Sequence, residues 1–377
     1  MRVIVVGAGV VGTLHAWHAV ERGHEVVQIE REAEARGASL RNFGQIWVSG
    51  RAGGEELETA LRARELWEAI GARVPGLGFR ANGSLTPVRG ARELAVAEAA
   101  VGRPDAAARG YKLLTADEAR AVNPVLRGFF EAALHCERDA AVEPRTAQLA
   151  LREELSKSPL YTFLPGREVR DIVDVVGEHA VRDDHGDVHS GDVVVLCTGA
   201  WLGGLVRELA GPELPVRRVR LQMMQTDPLG EPLTTSVADA DSFRYYPAYR
   251  GPALDELDAH QPQAATAAAH RMQLLMVQRA DGGLTIGDTH EYEHPFAFDT
   301  LEDPYDHLAE VVESFLGRPL PKIRRRWAGV YAQCTDPSRV VHRQRVRDGV
   351  WLVTGPGGRG MTCSPAIAEK TADELGW

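Results

Sequence analysis

The sequence predicts an α/β fold in which a layer of parallel strands that binds a nucleotide is joined to a second domain built on a mostly antiparallel sheet. Three observations carry this reading. A β-branched run at residues 3–6 is followed at once by Gly7, Gly9 and Gly12. Two later runs, at 193–199 and 350–360, also read as buried strands ending in small residues before a helix. Between these pieces lie stretches that alternate apolar and polar residues, as antiparallel strands do.

The first element is a strand buried on both faces. Gly7 allows the tight turn, Gly9 the approach of a pyrophosphate to the backbone, and Gly12 the packing of the next helix on the sheet, with Val11 between them. That helix is expected over residues 13–22, its positive end aimed at the phosphates, and Gly23 stops it. A second parallel strand follows and ends at Glu30, where an acid can hydrogen-bond an adenosine ribose. The spacing is therefore Rossmann-like. Residues 31–51 are rich in glycine and small polar side chains, and read as a loop whose backbone, Ser39 and Asn42 contact a cofactor, against the plainer alternative of a connecting loop.

Residues 55–70 have helical periodicity, with Gly71 as the expected stop. Residues 79–89 suggest a hairpin turning at Asn82-Gly83. Thr115 and Glu118 form a capping box, and Pro144 suits the first turn of a helix over 143–156. From Tyr161 a small antiparallel meander is expected. Residues 215–226 and the segment SFRYYPAY (242–249) both look strand-like, whereas 251–269 lacks periodicity and reads as a surface insertion. A hairpin turning at Asp281-Gly282-Gly283, a helix over 301–316 and a final strand, glycine loop and helix complete the chain. The nucleotide-binding domain is thus discontinuous, comprising 1–79, 141–214 and 329–377, with 80–140 and 215–328 forming the second domain.

Lys and Arg number 43 against 53 Asp and Glu in 377 residues. This mildly acidic balance argues against nucleic acid or an anionic membrane surface as the main partner. The four cysteines are scattered, with no metal-like spacing, as in a reduced protein without structural disulfides. No apolar run approaches the ~18 residues of a membrane helix, and the first is broken by glycine, unlike a secretory leader. A cytoplasmic protein without a metal site is expected. His15 and His18 read as helix-surface or core residues, Met223 and Met224 as packing, and Trp327 as a wall between domains.

With GAGVVG and Glu30, the Gly37–Gly44 element, VVVLCTGAW at 193–201, RRWAG at 325–329 and the closing GPGGRGMTCSP in this order, the chain resembles the FAD-dependent amine and amino-acid oxidases, the family of glycine oxidase, D-amino-acid oxidase and monomeric sarcosine oxidase. The resemblance implies non-covalent FAD. Gly7, Gly9 and Gly12 would take its pyrophosphate and Glu30 its ribose. Arg31, Ser39, Asn42, Phe43, Gly44 and Gln45 would lie along it, and Val169 would meet the adenine end with Thr198, Gly199 and Trp201 nearby. Gly355, Gly357, Gly358, Arg359, Gly360, Met361 and Thr362 would wrap the flavin ring. The implied chemistry is hydride removal from the C–H beside an amine, giving an imine that hydrolyses to a carbonyl and ammonia or a smaller amine. Oxygen would be the electron acceptor and hydrogen peroxide the second product; a same-fold dehydrogenase using another acceptor is the alternative. The flavin carries this chemistry, so no dedicated catalytic side chain is required.

The departures bear on the substrate. Glycine-oxidase-like members carry an arginine two residues after the W-A-G glycine, where this chain has Tyr331. The lysine of sarcosine oxidases aligns with Thr362, and the flavin-attaching cysteine has no counterpart, although Cys334 is close. With the usual α-carboxylate clamp missing, the pattern looks most like a subgroup associated with aminophosphonate breakdown, acting on 2-aminoethylphosphonate or its N-methyl or hydroxylated forms. A glycine-, sarcosine- or D-amino-acid-type oxidase is the alternative. The candidate substrate residues are Arg220, Arg244 with Tyr246, His290, Tyr331 and Arg359, because arginine's fork suits a phosphonate as well as a carboxylate. Any one of these arginines could equally be a solvated surface charge.

Overall fold

The computed structural model describes residues 1–175, 178–292 and 295–377. A six-stranded sheet is ordered His342–Arg347, Val350–Thr354, Val193–Leu196, Arg2–Val6, Glu25–Glu30, Tyr161–Pro165. All neighbours are parallel except the His342–Arg347 edge. Val3, Ile4 and Val5 are fully buried, as a central strand covered on both faces requires. The helix after the first turn begins at Val10, three residues before the expected start, and runs to Glu21. It packs with the terminal helix Gly360–Leu375, which also lies against Glu55–Arg73.

The second sheet has eight strands, ordered Ile323–Cys334, Val216–Pro228, Gly283–Gly287, Leu275–Gln278, Ser236–Ala238, Ser84–Val88, Ala132–Cys136, Tyr111–Thr115. It is antiparallel except where Ser236–Ala238 meets Ser84–Val88. Its spine is the long pair Val216–Pro228 and Ile323–Cys334, whose register sets Val219 opposite Tyr331. The expected hairpin at Asp281-Gly282 joins two of its strands. A separate meander, Val169–Val175, Glu178–Asp183 and Val188–Gly191, lies beside the first sheet, its first turn partly outside the described residues. The Thr115–Glu118 capping box forms, and Pro144 opens the helix Pro144–Leu155.

Four local expectations fail, each for a tertiary reason. Gly71 does not end its helix, which continues to Arg73. A Cβ there would stand 2.5 Å from the Phe79 Cβ, so this glycine serves close packing. Asn82-Gly83 is not a hairpin turn: the strand after it pairs with the distant Ala132–Cys136. SFRYYPAY forms a helical turn at Asp241–Tyr245 and a 3-10 turn at Pro247–Tyr249. Phe243, Tyr246 and Tyr249, three apart, are its buried aromatic residues, a helical spacing hidden under aromatic content that favours strands. The supposed surface insertion holds helices Pro252–His260 and Ala265–His270, the first burying Leu254 and Leu257 and packing on Ala91–Val101.

Buried Asp139 ties the segment after the short strand Gln45–Ile46 to the eight-stranded sheet. Its carboxylate accepts from the Val48 N–H (2.6 Å), the Ser49 N–H (3.0 Å), and the Ser49 and Ser84 hydroxyls (both 2.6 Å). Burial pushes its pKa up, and these donors offset that in part. His15 is wholly buried, with Nδ1 2.7 Å from the Val11 carbonyl, and burial lowers its pKa to about 3. Met223 and Met224 are buried. Trp327 is stacked under Arg145, from the helix Pro144–Leu155, at 5.0 Å. All four cysteines are free and buried. Among the described residues no helix is long and apolar enough to cross a membrane, and no three His, Cys, Asp or Glu side chains gather as for a metal.

Candidate active site

A cavity of about 1180 Å3 runs from the carboxyl ends of the parallel strands to the face of the eight-stranded sheet. It exceeds the roughly 300–1,000 Å3 of ordinary small-ligand pockets, leaving room for a dinucleotide and a further small molecule. Its first end is made of backbone. Gly7 has φ +105°, and a side chain there would collide with the Cys197 carbonyl. A side chain on Gly12 would strike the Gly7 carbonyl, so the helix can seat on the turn only with glycine at that position. Glu30, 8 % exposed, accepts from the Ala8 N–H at 2.7 Å and the Glu32 N–H at 3.1 Å. Both bonds fix an anionic acceptor at the strand end, where a ribose hydroxyl can donate to it.

The loop after Glu30 folds back over this turn. Ser39 Oγ accepts from the Val10 N–H at 2.8 Å. Asn42 donates to the carbonyls of Ala38 and Ser39 and accepts from the Gly44 N–H, which holds the loop in one shape. Arg31 lies over the ring of the exposed Trp201 at 4.4 Å, at the cavity rim. Val169, Thr198 and Gly199 line the same end. Further in, Phe43, Gln45 and the glycine loop face one another across the cavity, and Gln45 Nε2 is buried without a partner. Thr362 Oγ1 accepts from the Trp47 N–H at 2.9 Å and donates to the Gln45 carbonyl at 3.3 Å, tying loop to helix. The 3-10 turn Gly357–Arg359 leads into the helix Gly360–Leu375, whose first N–H groups have no intrahelical acceptor.

The other end is made of side chains. Tyr245 and Tyr246 meet edge to face with ring centroids 5.0 Å apart, and Tyr245 lies 4.3 Å from the His290 ring, itself 6.3 Å from Tyr292. Tyr331 completes the group, its buried hydroxyl beside that of Tyr245. His290 Nδ1 is 3.0 Å from the Arg271 carbonyl, and burial drives its pKa down to about 4, so the ring is neutral at pH 7. Burial pushes the phenols of Tyr245, Tyr246, Tyr292 and Tyr331 upward. Asp288 stands among them, and burial holds its carboxyl well above the usual carboxylate range. Nearby, the buried Arg51 donates from Nε to the Trp47 carbonyl (2.7 Å) and lies 3.6 Å from Glu56.

Most expected residues line this one cavity; four do not. Gly12, Gly44 and Gly355 stand behind the wall, where a Cβ would meet Gly7, Val142 and Cys334 respectively. Arg220 is turned away, bonded to Glu291 at 2.9 Å and to the Asp299 carbonyl at 2.7 Å. The period of two explains this, since Leu221 and Met223 on its strand face the cavity. Arg244 and Arg359 reach the cavity with guanidinium groups already engaged. Arg244 binds Asp241 (3.0 Å), Asp258 and the Gln261 carbonyl. Arg359 binds Glu56 (3.2 Å) and the carbonyls of Pro356, Pro337 and Arg339. Sequence reasoning missed Trp47, Arg51, Gln273, Asp288 and Tyr292. The signal for Asp288 was an acid following Gly287 at the end of a hairpin strand.

The family described as FAD dependent oxidoreductase matches residues 2–374. Glycine oxidase of Pseudomonas aeruginosa is 28 % identical over 392 aligned residues, covering 99 % of this chain and 94 % of that protein. Among solved structures, glycine oxidase from Bacillus cereus superposes with a TM-score of 0.78 at 18 % identity, covering 100 % of this chain and 94 % of the other. L-proline dehydrogenase from P. horikoshii gives 0.78 at 22 %, covering 99 % and 92 %. These likenesses confirm the mixed α/β fold with its parallel and antiparallel sheets. With the match running over residues 2–374, the chain belongs to the FAD-dependent oxidoreductase family.

Proposed function

We propose that this enzyme oxidises the C–H bond beside the nitrogen of a small anionic amine, and that its substrate is an aminophosphonate such as 2-aminoethylphosphonate or an N-methyl or hydroxylated derivative. The imine product would hydrolyse to a carbonyl compound and ammonia or an amine, with oxygen consumed and hydrogen peroxide released. The flavin, when bound, supplies the hydride acceptor. Gly7 and Gly9 would hold its pyrophosphate, Glu30 its ribose, and the amides entering the helix at Gly360 its ring. The glycine cradle and the orphaned Gln45 amide in the wall fit such a group.

The protein's share is orientation and dryness. Tyr245, Tyr246, Tyr292, Tyr331 and His290 wall off one end of the cavity and exclude water from the reacting carbon. The observation that supports the substrate class is where cations stand. At the position of the expected carboxylate clamp is the uncharged Tyr331, and the buried Arg51 and Arg359 both neighbour Glu56. Arg217, Arg218 and Arg250 line the cavity from exposed positions. An anion held there is farther from the reacting C–N bond than an α-carboxylate would be, as in a compound with two carbons between nitrogen and phosphorus.

The test is anaerobic mixing of FAD-loaded protein with 2-aminoethylphosphonate, its N-methyl form, glycine and sarcosine. The phosphonates should bleach the flavin band, and readmitted oxygen should restore it with release of peroxide. Bleaching by glycine or sarcosine but by neither phosphonate would overturn the substrate assignment. Bleaching that oxygen does not reverse would make the enzyme a dehydrogenase.

A further inference from the structure

We propose that Asp288 receives the substrate's amino nitrogen, through a carboxyl oxygen the fold leaves without a partner, so that the cavity selects a basic amine over its uncharged isostere. The inference deepens the reading of this cavity as an amine-oxidising site and rests on it.

Asp288 Oδ1 is buried and makes no hydrogen bond, although the residue lines the cavity and is only 4 % exposed. Its backbone is fixed on both sides. The Asp288 N–H donates to the Gln273 carbonyl at 3.0 Å, and the neighbouring Thr289 hydroxyl accepts from the Gln222 N–H at 3.0 Å. The one ionisable partner within ion-pair reach among the described residues is His290, whose Nε2 lies 3.9 Å from Oδ2. Burial leaves that ring neutral. Among the described residues, the other titratable groups that feel Asp288 are phenols: Tyr245 and Tyr246 from the segment before the 3-10 turn, Tyr292 from its own segment, and Tyr331 from the long strand Ile323–Cys334. Arg51 lies over Tyr246, and Arg217 and Arg271 lie over Tyr292.

A buried carboxyl without a cation is costly to ionise and expensive to keep unbonded. A further oxygen in the same wall, Gln273 Oε1, is also buried and unpartnered. Two acceptor oxygens and a ring of aromatic faces suit an N–H donor carrying positive charge. An alkyl head makes no hydrogen bond there, and a hydroxyl head donates one without the charge.

The proton balance links this to the chemistry. The free amine in water is an ammonium, and burial without a cation favours the protonated form of free Asp288. The pair that forms keeps one fewer proton than its separate parts, so binding releases one proton to solvent. The shared proton can sit on nitrogen, as an ammonium–carboxylate pair, or on Oδ1. Transfer to Oδ1 breaks one N–H bond, makes one O–H bond and leaves the neutral amine that loss of hydride requires. Asp288 is then the group that deprotonates the substrate after it has bound.

The probes are n-propylammonium and n-propanol, titrated calorimetrically into oxygen-free, FAD-loaded protein at pH 7 in two buffers of different ionisation enthalpy. The wild type should bind propylammonium about 10- to 100-fold more tightly than propanol and release close to one proton. Asp288→Asn should lose both the preference and the proton release, and Asp288→Glu should restore part of each. Equal affinity of the wild type for the two probes, or binding without proton release, would overturn the proposal whether or not the variants fold. Neither probe carries an anion. Failure of phosphonates to bleach the flavin would therefore sink the substrate assignment and leave this result standing, and the converse also holds.

Discussion

The two ends of one cavity are built in different ways. At the end proposed for the dinucleotide the wall is backbone: the turn at Gly7 and Gly9, N–H groups at a helix start, and a single side chain, Glu30, pinned by two amides. At the amine end they are side chains from four separated segments, Tyr245 and Tyr246, Gln273, Asp288 to Tyr292, and Tyr331. A backbone site is specified by what must be missing. A side-chain site is specified by what must meet, and register and packing decide that.

The comparison predicts that damage at the first end is absolute and at the second graded. Gly12→Val should give protein that binds no FAD, because its side chain must displace the Gly7 carbonyl that shapes the turn; flavin content per purified chain measures this. Gly23→Ala is the control. It has φ +82° but no atom within 4 Å of the added carbon, so it should cost about 1 kcal/mol of stability and keep its flavin. Flavin retained by Gly12→Val would mean that the backbone cradle is not the binding determinant.

A smaller effect should appear with pH. His15 is buried near the first end with its pKa lowered to about 3. Above about pH 6.5 it is neutral in folded and unfolded chains alike and contributes no pH dependence. As pH falls from about 6.5 toward 3 the unfolded chain takes up a proton that the folded chain refuses, so stability falls. The loss should reach about 2 kcal/mol at pH 5. His15→Gln should flatten the slope of thermal stability between pH 7 and 5 by that amount, and an unchanged slope would place His15 outside this linkage.

The smallest effects sharpen the second end. Arg244→Ala should cost about 1 kcal/mol of stability, through its lost pair with the half-buried Asp241, and leave KM for the amine nearly unchanged. Arg217→Ala, on the cavity wall, should raise KM with little change in kcat if it helps to hold a substrate anion. The opposite pattern would return the anion to Arg244.

Legibility followed the same division. The strand, turn and helix at residues 2–21 could be read from spacing because glycines mark places where a Cβ cannot fit. The glycine loop at 355–360 could be read for the same reason. Aromatic content suggested a strand at 242–249, but Phe243, Tyr246 and Tyr249 turned inward at helical spacing. Arg220 was a candidate by charge and Arg244 by charge beside two tyrosines, and nothing local announces Glu291 or Asp258 as their partners. Asp288 was passed over because burial, which is what gives its carboxyl a function, is not a property of a sequence position.

By itself the sequence determined the nucleotide-binding architecture and the family, because turn geometry and strand burial follow from a few adjacent residues. Only the tertiary structure decided which charges were neutralised by neighbours and which polar atoms were left unpaired around the amine. Those outcomes depend on residues more than 40 positions apart, such as Gln45, Asp288 and Tyr331, brought together by the pairing of two long strands and the docking of one loop.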